Sequence, residues 1–273
     1  MCKVTGKCET LLRPHQLGVG TPKGAEAAVH AIRAYINSPN ISDKVLLKID
    51  FKNAFNQVRR DVILNLVKEE TPEIYQYVYQ CYSTTSSLYF GSYSEDGCVL
   101  ESKEGVQQGD PLGPFLFSLA IMKLISSCES ELNCWYLDDG TLASDINTVI
   151  ADYKKILAAG DALGLNVNPN KCELFLIEPQ STECAEALEK FCELTEGVRL
   201  IQKQDLTLLG APILPEAIEG VLNPKLESLK LMASRLEEID KHDALFLLRQ
   251  CFSIPKMTYF FRTGPCFMKP DIL

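Results

Sequence analysis

The sequence predicts a mixed α+β fold, in which helices pack against a sheet. Short apolar runs that favour β-structure occur at residues 45–51, 133–137, 141–143 and 172–177. Longer segments with apolar residues at helical spacing occur at residues 57–70, 111–130 and 148–163. The chain has 273 residues, 46% of them hydrophobic, which is enough for a sizeable core and for one large or two smaller domains.

The first predicted strand ends in an acidic residue. A predicted helix at residues 25–36 precedes the mostly apolar run 44–51, and Asp50 falls near the end of that run. After a short turn, apolar residues at helical spacing indicate a helix at residues 57–70. An aspartate at a strand end can cap the next helix or serve another purpose, and the local pattern favours neither.

A second helix and a hairpin follow. Residues 71–81 read as a helix that begins at a Thr-Pro pair. Residues 87–90 and 98–101 are predicted to pair as a hairpin around the polar residues 95–97.

A glycine-containing loop at residues 105–114 leads into an apolar helix at residues 111–130. Asp110 followed by Pro111 is typical of a helix start, so helix capping is the preferred interpretation of Asp110. Gln108 offers an amide donor and an amide acceptor beside glycines that allow a ligand to approach closely.

Two adjacent carboxylates mark the next hairpin. Residues 133–137 and 141–143 favour strands, and Asp139-Gly140 between them is a hairpin-turn signal. Turn formation does not explain Asp138, which adds a second negative charge at the tip. Because neighbouring carboxylates repel each other unless a cation lies between them, a hard divalent metal is one interpretation. A solvated turn is the other.

The remaining elements complete the predicted order. A helix at residues 148–163 ends at Gly164, and a strand follows at residues 172–177. Further helices are predicted at residues 183–192, 224–238 and 243–251, with a strand at residues 206–209. Helices and strands in this order predict a ferredoxin-like arrangement.

Five ordered motifs resemble those of the reverse transcriptases, and in particular the non-LTR retrotransposon type. Residues 50–56 resemble the first catalytic-aspartate motif, and residues 136–139 resemble the aspartate-pair motif. The other three are similar to the template- and nucleotide-binding loop, the lysine-bearing turn and the primer-grip hairpin, at residues 105–114, 164–171 and 208–212. Residues 15–20 resemble the segment that enters the helix before the first motif.

The resemblance implies an α+β fold, namely a ferredoxin-like polymerase palm with partial fingers and the start of a helical thumb. Residues 1–43 would be a residual fingers segment, residues 44–212 the palm with the catalytic motifs, and residues 213–273 the start of the thumb.

By the same resemblance, Asp50, Asp138 and Asp139 would be the catalytic metal ligands, Asp50 and Asp138 as the principal ones and Asp139 in a lesser or intermittent role, with Mg²⁺ as the cofactor and Mn²⁺ as a substitute. Two such ions stabilise the attacking and leaving oxygens of nucleotidyl transfer. Lys171 matches the lysine that helps to neutralise or protonate the departing pyrophosphate. An ordinary exposed lysine after a turn is the alternative for Lys171.

The resemblance also implies a substrate site that takes an RNA template, a DNA primer and deoxynucleoside triphosphates. Phe55 matches the aromatic residue beneath the incoming sugar, where a 2′-hydroxyl would clash, and a core phenylalanine is the alternative. The other substrate-binding residues implied are Phe51, Gln108, Gly109 and Tyr136. Leu209 and Gly210 would form the primer grip.

Composition limits the functions of the chain. The net charge of −9 is evidence against independent tight binding of nucleic acid, although residues 1–49 hold seven Lys and Arg against three Asp and Glu. Eleven cysteines without a Cys-x-x-Cys pair, and only three histidines, argue against structural zinc. These cysteines predict a reducing intracellular compartment, nuclear or cytoplasmic, and no membrane-spanning segment is expected.

Two function hypotheses follow. The first is an RNA-directed DNA polymerase, or its central portion, encoded by a retrotransposon. The second is a catalytically inactive remnant that binds RNA or a protein. A nucleotidyl cyclase or an RNA-templated RNA polymerase is disfavoured by Phe55 and by residues 108–111. With 49 residues before Asp50 and an end at Leu273, the sequence predicts a palm-centred fragment whose missing fingers, thumb or other retrotransposon domains belong to a longer product.

Overall fold

The structure is a computed structural model that describes residues 2–39, 41–91, 98–180, 188–189, 191–193 and 195–269. The contacts divide the chain into two compact units. The first unit comprises Met1–Gly24 and Asp43–Arg199, and the second comprises Ala25–Ser42 and Leu200–Leu273. This division follows spatial contacts, and the functional boundaries at residues 43 and 212 stay a prediction.

The first unit alternates helices and strands. Its helices are α1 (Cys2–Leu12), α3 (Ala54–Gln57), α4 (Arg60–Glu70), α5 (Pro72–Tyr82), α6 (Gly113–Ser126) and α7 (Ile146–Leu163). Its strands are β1 (Lys44–Ile49), β2 (Ser86–Phe90), β3 (Cys98–Ser102), β4 (Leu132–Tyr136), β5 (Asp139–Asp145) and β6 (Glu173–Ile177), and β7 (Arg199–Leu200) follows at its end. A 3₁₀ turn at Pro169–Lys171 precedes β6.

The sheet of the first unit has the strand order β4-β5-β1-β6-β7, while β2 and β3 form a separate hairpin. Strand β1 is central, because it pairs antiparallel with β5 on one side and with β6 on the other. The order of β1, β4, β5 and β6, with helices before β4 and before β6, is the ferredoxin-like arrangement that the sequence predicts. The mixed α+β class is thereby confirmed.

Burial explains why these segments form the core. Val45, Leu46 and Leu47 of β1 are each at most 1% exposed, which fits a strand covered on both faces. Helix α6 buries apolar residues on nearly all sides, since it lies within the core of the unit. Helix α7 begins at the cap Asp145, whose side chain accepts a hydrogen bond from Thr148 N, and it ends before Gly164 at φ 77°.

Asp152 of α7 anchors the connection that precedes β4. Its carboxylate is fully buried and accepts hydrogen bonds from the backbone N–H groups of Glu129 and Ser130 at 2.8–3.0 Å and from the Ser130 hydroxyl at 2.6 Å. Burial by itself would raise the pKa of Asp152, but these bonds and one from Lys155 outweigh it and lower the pKa.

The second unit consists of helices and one short hairpin. Its helices are α2 (Gly24–Ile36, of which residue 24 lies in the first unit), α8 (Ile218–Leu236), α9 (Lys241–Leu247) and α10 (Ile254–Thr263). Its hairpin pairs β8 (Thr207–Leu208) with β9 (Ala211–Pro212). Single turns lie at Lys203–Asp205, Pro215–Ala217, Leu248–Phe252 and Cys266–Met268. A small core gathers residues of α8 and α10, including Ile218, Leu222 and Phe260.

Several boundaries differ from the sequence-based prediction. The helix predicted at residues 57–70 is interrupted, because Val58 adopts an extended conformation between α3 and α4. The helix predicted to start at residue 224 begins at Ile218, with Pro224 inside it, since Ile218 and Leu222 are needed in the core. Residues 95–97 and most of the predicted helix 183–192 lie outside the described residues. Among the described helices, none has both the length and the apolar composition to span a membrane.

Candidate active site

The register of the sheet places Asp50 beside the acidic hairpin. Ile49 of β1 pairs with Gly140 of β5 in an antiparallel ladder. Asp50 follows Ile49 and Asp139 precedes Gly140, so the two aspartates continue the same register and lie opposite each other. Asp138 is the next residue, in the turn between β4 and β5. Asp50 thus meets the adjacent pair Asp138 and Asp139, which is distant from it in sequence, at one end of the sheet.

The turn itself is shifted from its predicted position. Tyr136 pairs with Asp139, so the two-residue turn consists of Leu137 and Asp138, and the predicted Asp139-Gly140 turn is wrong. Gly140 lies inside β5, where a Cβ atom would stand 2.5 Å from the Trp135 ring. The glycine is therefore required for close packing of the indole, and Leu137 takes the positive φ of 57°.

The carboxylates of the hairpin experience each other's charge. Partial burial, followed by repulsion from Asp50, raises the pKa of Asp138, and Lys171 partly opposes this shift. Partial burial, followed by repulsion from Asp138 and Asp50, raises the pKa of Asp139 to about 6. Water still reaches the Asp139 side chain and screens part of this repulsion. The site therefore concentrates more negative charge than its protein neighbours neutralise.

Asp50 has a carboxylate oxygen without a hydrogen-bond partner. Its Oδ2 atom is buried and accepts no hydrogen bond, and Lys171 Nζ lies 3.9 Å away, beyond hydrogen-bonding distance. An orphaned carboxylate oxygen beside two further carboxylates is a donor set that suits Mg²⁺ or Mn²⁺. Within the described part of the chain, however, no three His, Cys, Asp or Glu side chains form a ready-made metal site. Side-chain adjustment would thus have to accompany the binding of a cation.

The lysine-bearing turn packs against the end of β1. Asn168 N donates to the carbonyl of Asp50 at 2.8 Å, and Lys52 N donates to the carbonyl of Asn166 at 2.8 Å. These two bonds bring Lys171 next to Asp50, while 68% of the Lys171 side chain stays exposed. Lys171 is therefore an exposed cation at the edge of the carboxylate site.

The glycine-containing loop packs against the turn that follows Asp50. Val106 N donates to the carbonyl of Phe55 at 2.7 Å, and Gly105 N donates to the carbonyl of Val58 at 2.9 Å. A Cβ atom on Gly105 would lie 2.4 Å from the Phe55 carbonyl oxygen, so only glycine permits this approach. Gln108 and Gly109, the predicted substrate-binding residues of the loop, are both exposed.

Buried side chains shape the same loop from behind. Arg60, which is 6% exposed, donates to the carbonyls of Gly105 and Ser102 at 2.9 Å and to the Ser102 hydroxyl at 2.8 Å. Its guanidinium also lies over the Tyr82 ring, 5.4 Å from the centroid. Tyr82 donates its hydroxyl to Asp110.

The predicted N-cap role of Asp110 is wrong, because the helix begins after Leu112, two residues later; the other oxygen of Asp110 instead accepts from Leu112 N at 2.8 Å in the turn that leads into the helix. The helix that it precedes is shorter than predicted, beginning at Gly113 and ending at Ser126. A groove of about 980 Å³ lies between the β2–β3 hairpin and this loop, and Ser86, Leu88, Leu100 and Gln107 are among its lining residues.

The predicted aromatic residues occupy different environments. Phe55 is half-buried and stacks on Phe117 with ring centroids 4.5 Å apart, which leaves part of the ring accessible. Phe51 is 3% exposed and stacks on Trp135, so its side chain belongs to the core. Tyr136 is half-buried on β4, immediately before the acidic turn. Any contact of Phe51 with a substrate would therefore involve its backbone atoms.

Leu209 and Gly210, the predicted primer grip, form the two-residue turn between β8 and β9 in the second unit. Both have positive φ, 48° and 75°, and Tyr259 donates its hydroxyl to the carbonyl of Leu209 at 3.0 Å. Arg33 of α2 donates to the carbonyls of Ile213 and Pro212 at 2.9 and 2.8 Å and also to that of Thr263. The hairpin is thus held from two helices of its own unit.

Sequence reasoning did not identify the supporting residues. Nothing local separates the buried Arg60 from the exposed Arg59, because the two are adjacent arginines. Gln16 lies in a segment that resembles a family motif, but the sequence assigns it no contact. Its full burial and its bonds to the acidic turn appear only in the structure.

A ferredoxin-like sheet with one aspartate at a strand end and two at the neighbouring hairpin is the arrangement that the motifs predict for a polymerase palm. Residues 3–213 match the family described as "Reverse transcriptase (RNA-dependent DNA polymerase)". The chain belongs to this family. No curated protein matches the chain in a sequence search.

Several solved structures match this chain at low sequence identity. An apo telomerase from Candida tropicalis truncated from its C-terminal domain is 13% identical with a TM-score of 0.49, over 63% of this chain and 39% of that one. A telomerase from Candida albicans in complex with a TWJ fragment of telomeric RNA is 12% identical with a TM-score of 0.45, over 97% of this chain and 49% of that one. The chain thus spans less than half the length of these structures.

Proposed function

We propose that this chain is the palm-centred part of an RNA-directed DNA polymerase of the non-LTR retrotransposon type. The observation that carries the proposal is the meeting of Asp50, Asp138 and Asp139 at one end of the sheet, where burial and mutual repulsion raise the pKa of Asp138 and of Asp139. Proteins rarely concentrate unneutralised carboxylates at one site without a cation to bind. The non-LTR assignment rests on the motif sequences.

The three aspartates would hold divalent cations, Mg²⁺ or Mn²⁺, through their carboxylate oxygens. When bound, these cations stabilise charge on the attacking 3′-oxygen and on the leaving pyrophosphate. The orphaned Oδ2 of Asp50 supplies one donor, and Asp138 supplies another from the hairpin turn. Lys171, exposed and 3.9 Å from Asp50, can swing toward a departing anion and give up a proton from its Nζ.

The surroundings of the carboxylates fit a nucleotide and a template. Gln108 and Gly109 are exposed on the loop that packs behind Phe55, so their polar groups are available to a ligand. The accessible part of the Phe55 ring would exclude a 2′-hydroxyl and so favour deoxynucleoside triphosphates. An RNA template and a DNA primer are the macromolecular substrates of this proposal, and Leu209 with Gly210 would contact the primer.

The second candidate is a catalytically inactive, retrotransposon-derived domain that binds RNA or protein. The net charge of −9 favours it, because phosphate binding normally draws on an excess of Lys and Arg. We further propose a reducing intracellular compartment, since eleven cysteines without a Cys-x-x-Cys pair are typical of thiols that serve as small core residues.

Metal binding tests the proposed site directly. Calorimetry with Mn²⁺ should show binding to the wild-type chain and a large loss of affinity in Asp50→Asn and Asp138→Asn. The control is Asp61→Asn, which removes an exposed carboxylate that is paired with Arg59 in the same unit. Equal affinities in all four proteins would refute the carboxylate site.

Primer extension separates the two candidates. With an RNA template, a DNA primer, deoxynucleotides and Mg²⁺, wild-type and Asp61→Asn proteins should extend the primer weakly, because the net charge of −9 disfavours tight binding of a primer–template duplex. Asp50→Asn should lose most activity, because metal clamping supplies several kcal/mol of transition-state stabilisation. Metal binding without any extension would favour the inactive remnant.

A further inference from the structure

A buried glutamine is bonded to the turn that carries the aspartates. Gln16 is fully buried, and its Oε1 atom accepts from Leu137 N at 2.7 Å and from Gly18 N at 3.0 Å. Its Nε2 atom donates to the carbonyl of Leu137 at 3.0 Å. One side chain therefore binds both backbone polar groups of Leu137, the first residue of the acidic turn.

The backbone around Gln16 fixes this side chain against the hairpin. Gln16 forms a parallel bridge with Trp135 of β4, in which Trp135 N donates to the carbonyl of His15 at 2.7 Å and Leu17 N donates to the carbonyl of Trp135 at 2.8 Å. A Cβ atom on Gly18 would lie 2.7 Å from Leu137 N. The close approach of this segment thus depends on glycine at position 18.

The turn needs support for two physical reasons. Leu137 has a backbone φ of 57°, which residues other than glycine rarely adopt. In addition, the carboxylates of Asp138 and Asp139 repel each other and the carboxylate of Asp50, so electrostatic repulsion favours opening of the acidic turn. Hydrogen bonds from a buried amide oppose both effects, because opening the turn would leave the buried Gln16 amide unpaired.

We propose that Gln16 is a positioning residue of the carboxylate site. It holds Leu137 in the left-handed conformation, and so keeps Asp138 and Asp139 beside Asp50 before a divalent cation binds. The inference rests on the proposed function, since it assigns Gln16 to the same metal site. Gln16 itself touches neither substrate nor cation.

A pair of matched variants tests the role. Gln16→Met keeps a similar volume and removes the three hydrogen bonds. The control is Asn133→Leu, because Asn133 is also an amide in the same sheet, bonded to the Ile125 carbonyl and to Trp135 Nε1 at 2.8 Å, with no side-chain bond to the turn. For each protein we would measure Mn²⁺ affinity, the free energy of unfolding and hydrogen exchange at the Leu137 amide.

The expected result separates positioning from stability. Loss of an outer partner of a metal site lowers metal affinity by roughly 10- to 100-fold, which we expect for Gln16→Met. Asn133→Leu should lower the stability comparably and leave Mn²⁺ affinity close to that of the wild type. Adding Leu137→Gly to Gln16→Met should recover part of the affinity, because glycine adopts a positive φ without strain.

Unchanged Mn²⁺ affinity in Gln16→Met, an equal loss in Asn133→Leu, or no recovery in the double variant would each overturn the proposal. A wild-type chain that binds no Mn²⁺ would instead refute the proposed function. In that case exchange at the Leu137 amide decides whether Gln16 holds the turn: exchange faster in Gln16→Met than in Asn133→Leu supports it, and equal exchange overturns it.

Discussion

Replacement of Arg60 by methionine should destabilise the first unit and disorder the glycine-containing loop. Methionine keeps the aliphatic volume of the side chain and removes the guanidinium. The guanidinium is the donor that ties Gly105 to Ser102, at 2.9 Å from each carbonyl. Burial lowers the pKa of Arg60, although Tyr82 and Glu104 oppose this shift, and the group stays charged at neutral pH.

The expected loss is about 3–4 kcal/mol in the free energy of unfolding. A buried carbonyl or hydroxyl that is left without its donor typically costs about 1–3 kcal/mol, and the carbonyls of Gly105 and Ser102 and the Ser102 hydroxyl all lose theirs. Arg60 also donates to the carbonyl of the exposed residue Thr84 at 3.5 Å. The upper end of the range does not apply, because water can reach this carbonyl and part of Ser102 once the guanidinium is gone. The stacking on Tyr82 adds roughly 0.5–1 kcal/mol to what is lost.

Arg59 provides the control at the adjacent position. It is exposed and paired only with Asp61 on the surface in the described structure, so Arg59→Met should leave the free energy of unfolding close to that of the wild type. Urea denaturation followed by circular dichroism measures both variants. In an active preparation, Arg60→Met should also raise KM for the nucleotide, because Gln108 and Gly109 lie on the loop that Arg60 supports.

Equal unfolding free energies for Arg59→Met and Arg60→Met would refute this reasoning. So would a destabilised Arg60→Met protein whose loop amides at residues 105–109 exchange no faster than those of the wild type.

Three further predictions concern other parts of the chain. Asp152→Asn should lower the free energy of unfolding at pH 7 by roughly 2–4 kcal/mol. Because hydrogen bonding lowers the pKa of Asp152 in the folded protein, the wild type is more stable than the variant above pH 3.8, and it loses this advantage as the pH falls through the pKa of the folded state. Urea titrations at several pH values measure the difference. Phe55→Val should raise the incorporation of ribonucleotides relative to deoxynucleotides in single-nucleotide extension, because it removes the ring that would clash with a 2′-hydroxyl. Arg33→Met should destabilise the second unit by roughly 2–4 kcal/mol and speed amide exchange in the β8–β9 hairpin, since three carbonyls lose their donor.

Each has an outcome that contradicts it. A stability difference between wild type and Asp152→Asn that does not change between pH 3 and pH 7 would show that the hydrogen bonds to the carboxylate do not lower its pKa. An unchanged sugar ratio would leave Phe55 as a core aromatic stacked on Phe117. Exchange in the hairpin that is unaffected by Arg33→Met would show that Tyr259 and local turn geometry suffice to hold it.

Local sequence pattern determined most elements of this protein. The predicted strand at residues 44–51 and the helices at 25–36 and 148–163 agree closely with the structure. They are predictable because periodic burial and capping residues act over neighbouring positions. The order of the motifs likewise pointed to the family before any coordinate was known. The roles of Asp50, Asp138 and Lys171 as catalytic groups stay predictions.

Tertiary structure decided the rest, and the turn of the acidic hairpin shows why. Asp139-Gly140 is a good turn by its own preferences, yet the Trp135 ring occupies the space beside Gly140 and moves the turn by two residues. The same holds for Phe51, for which the resemblance implies a substrate contact but whose side chain stacks on Trp135 in the core.

The residues that hold the site in place were hidden for a related reason. Gln16 reaches the turn across 121 residues, Arg60 reaches Gly105 across 45, and Arg33 reaches Ile213 across 180. A local window contains only one partner of each bond, so these residues look like ordinary polar positions. Their burial, and with it the energetic weight of their hydrogen bonds, exists only once the chain has folded.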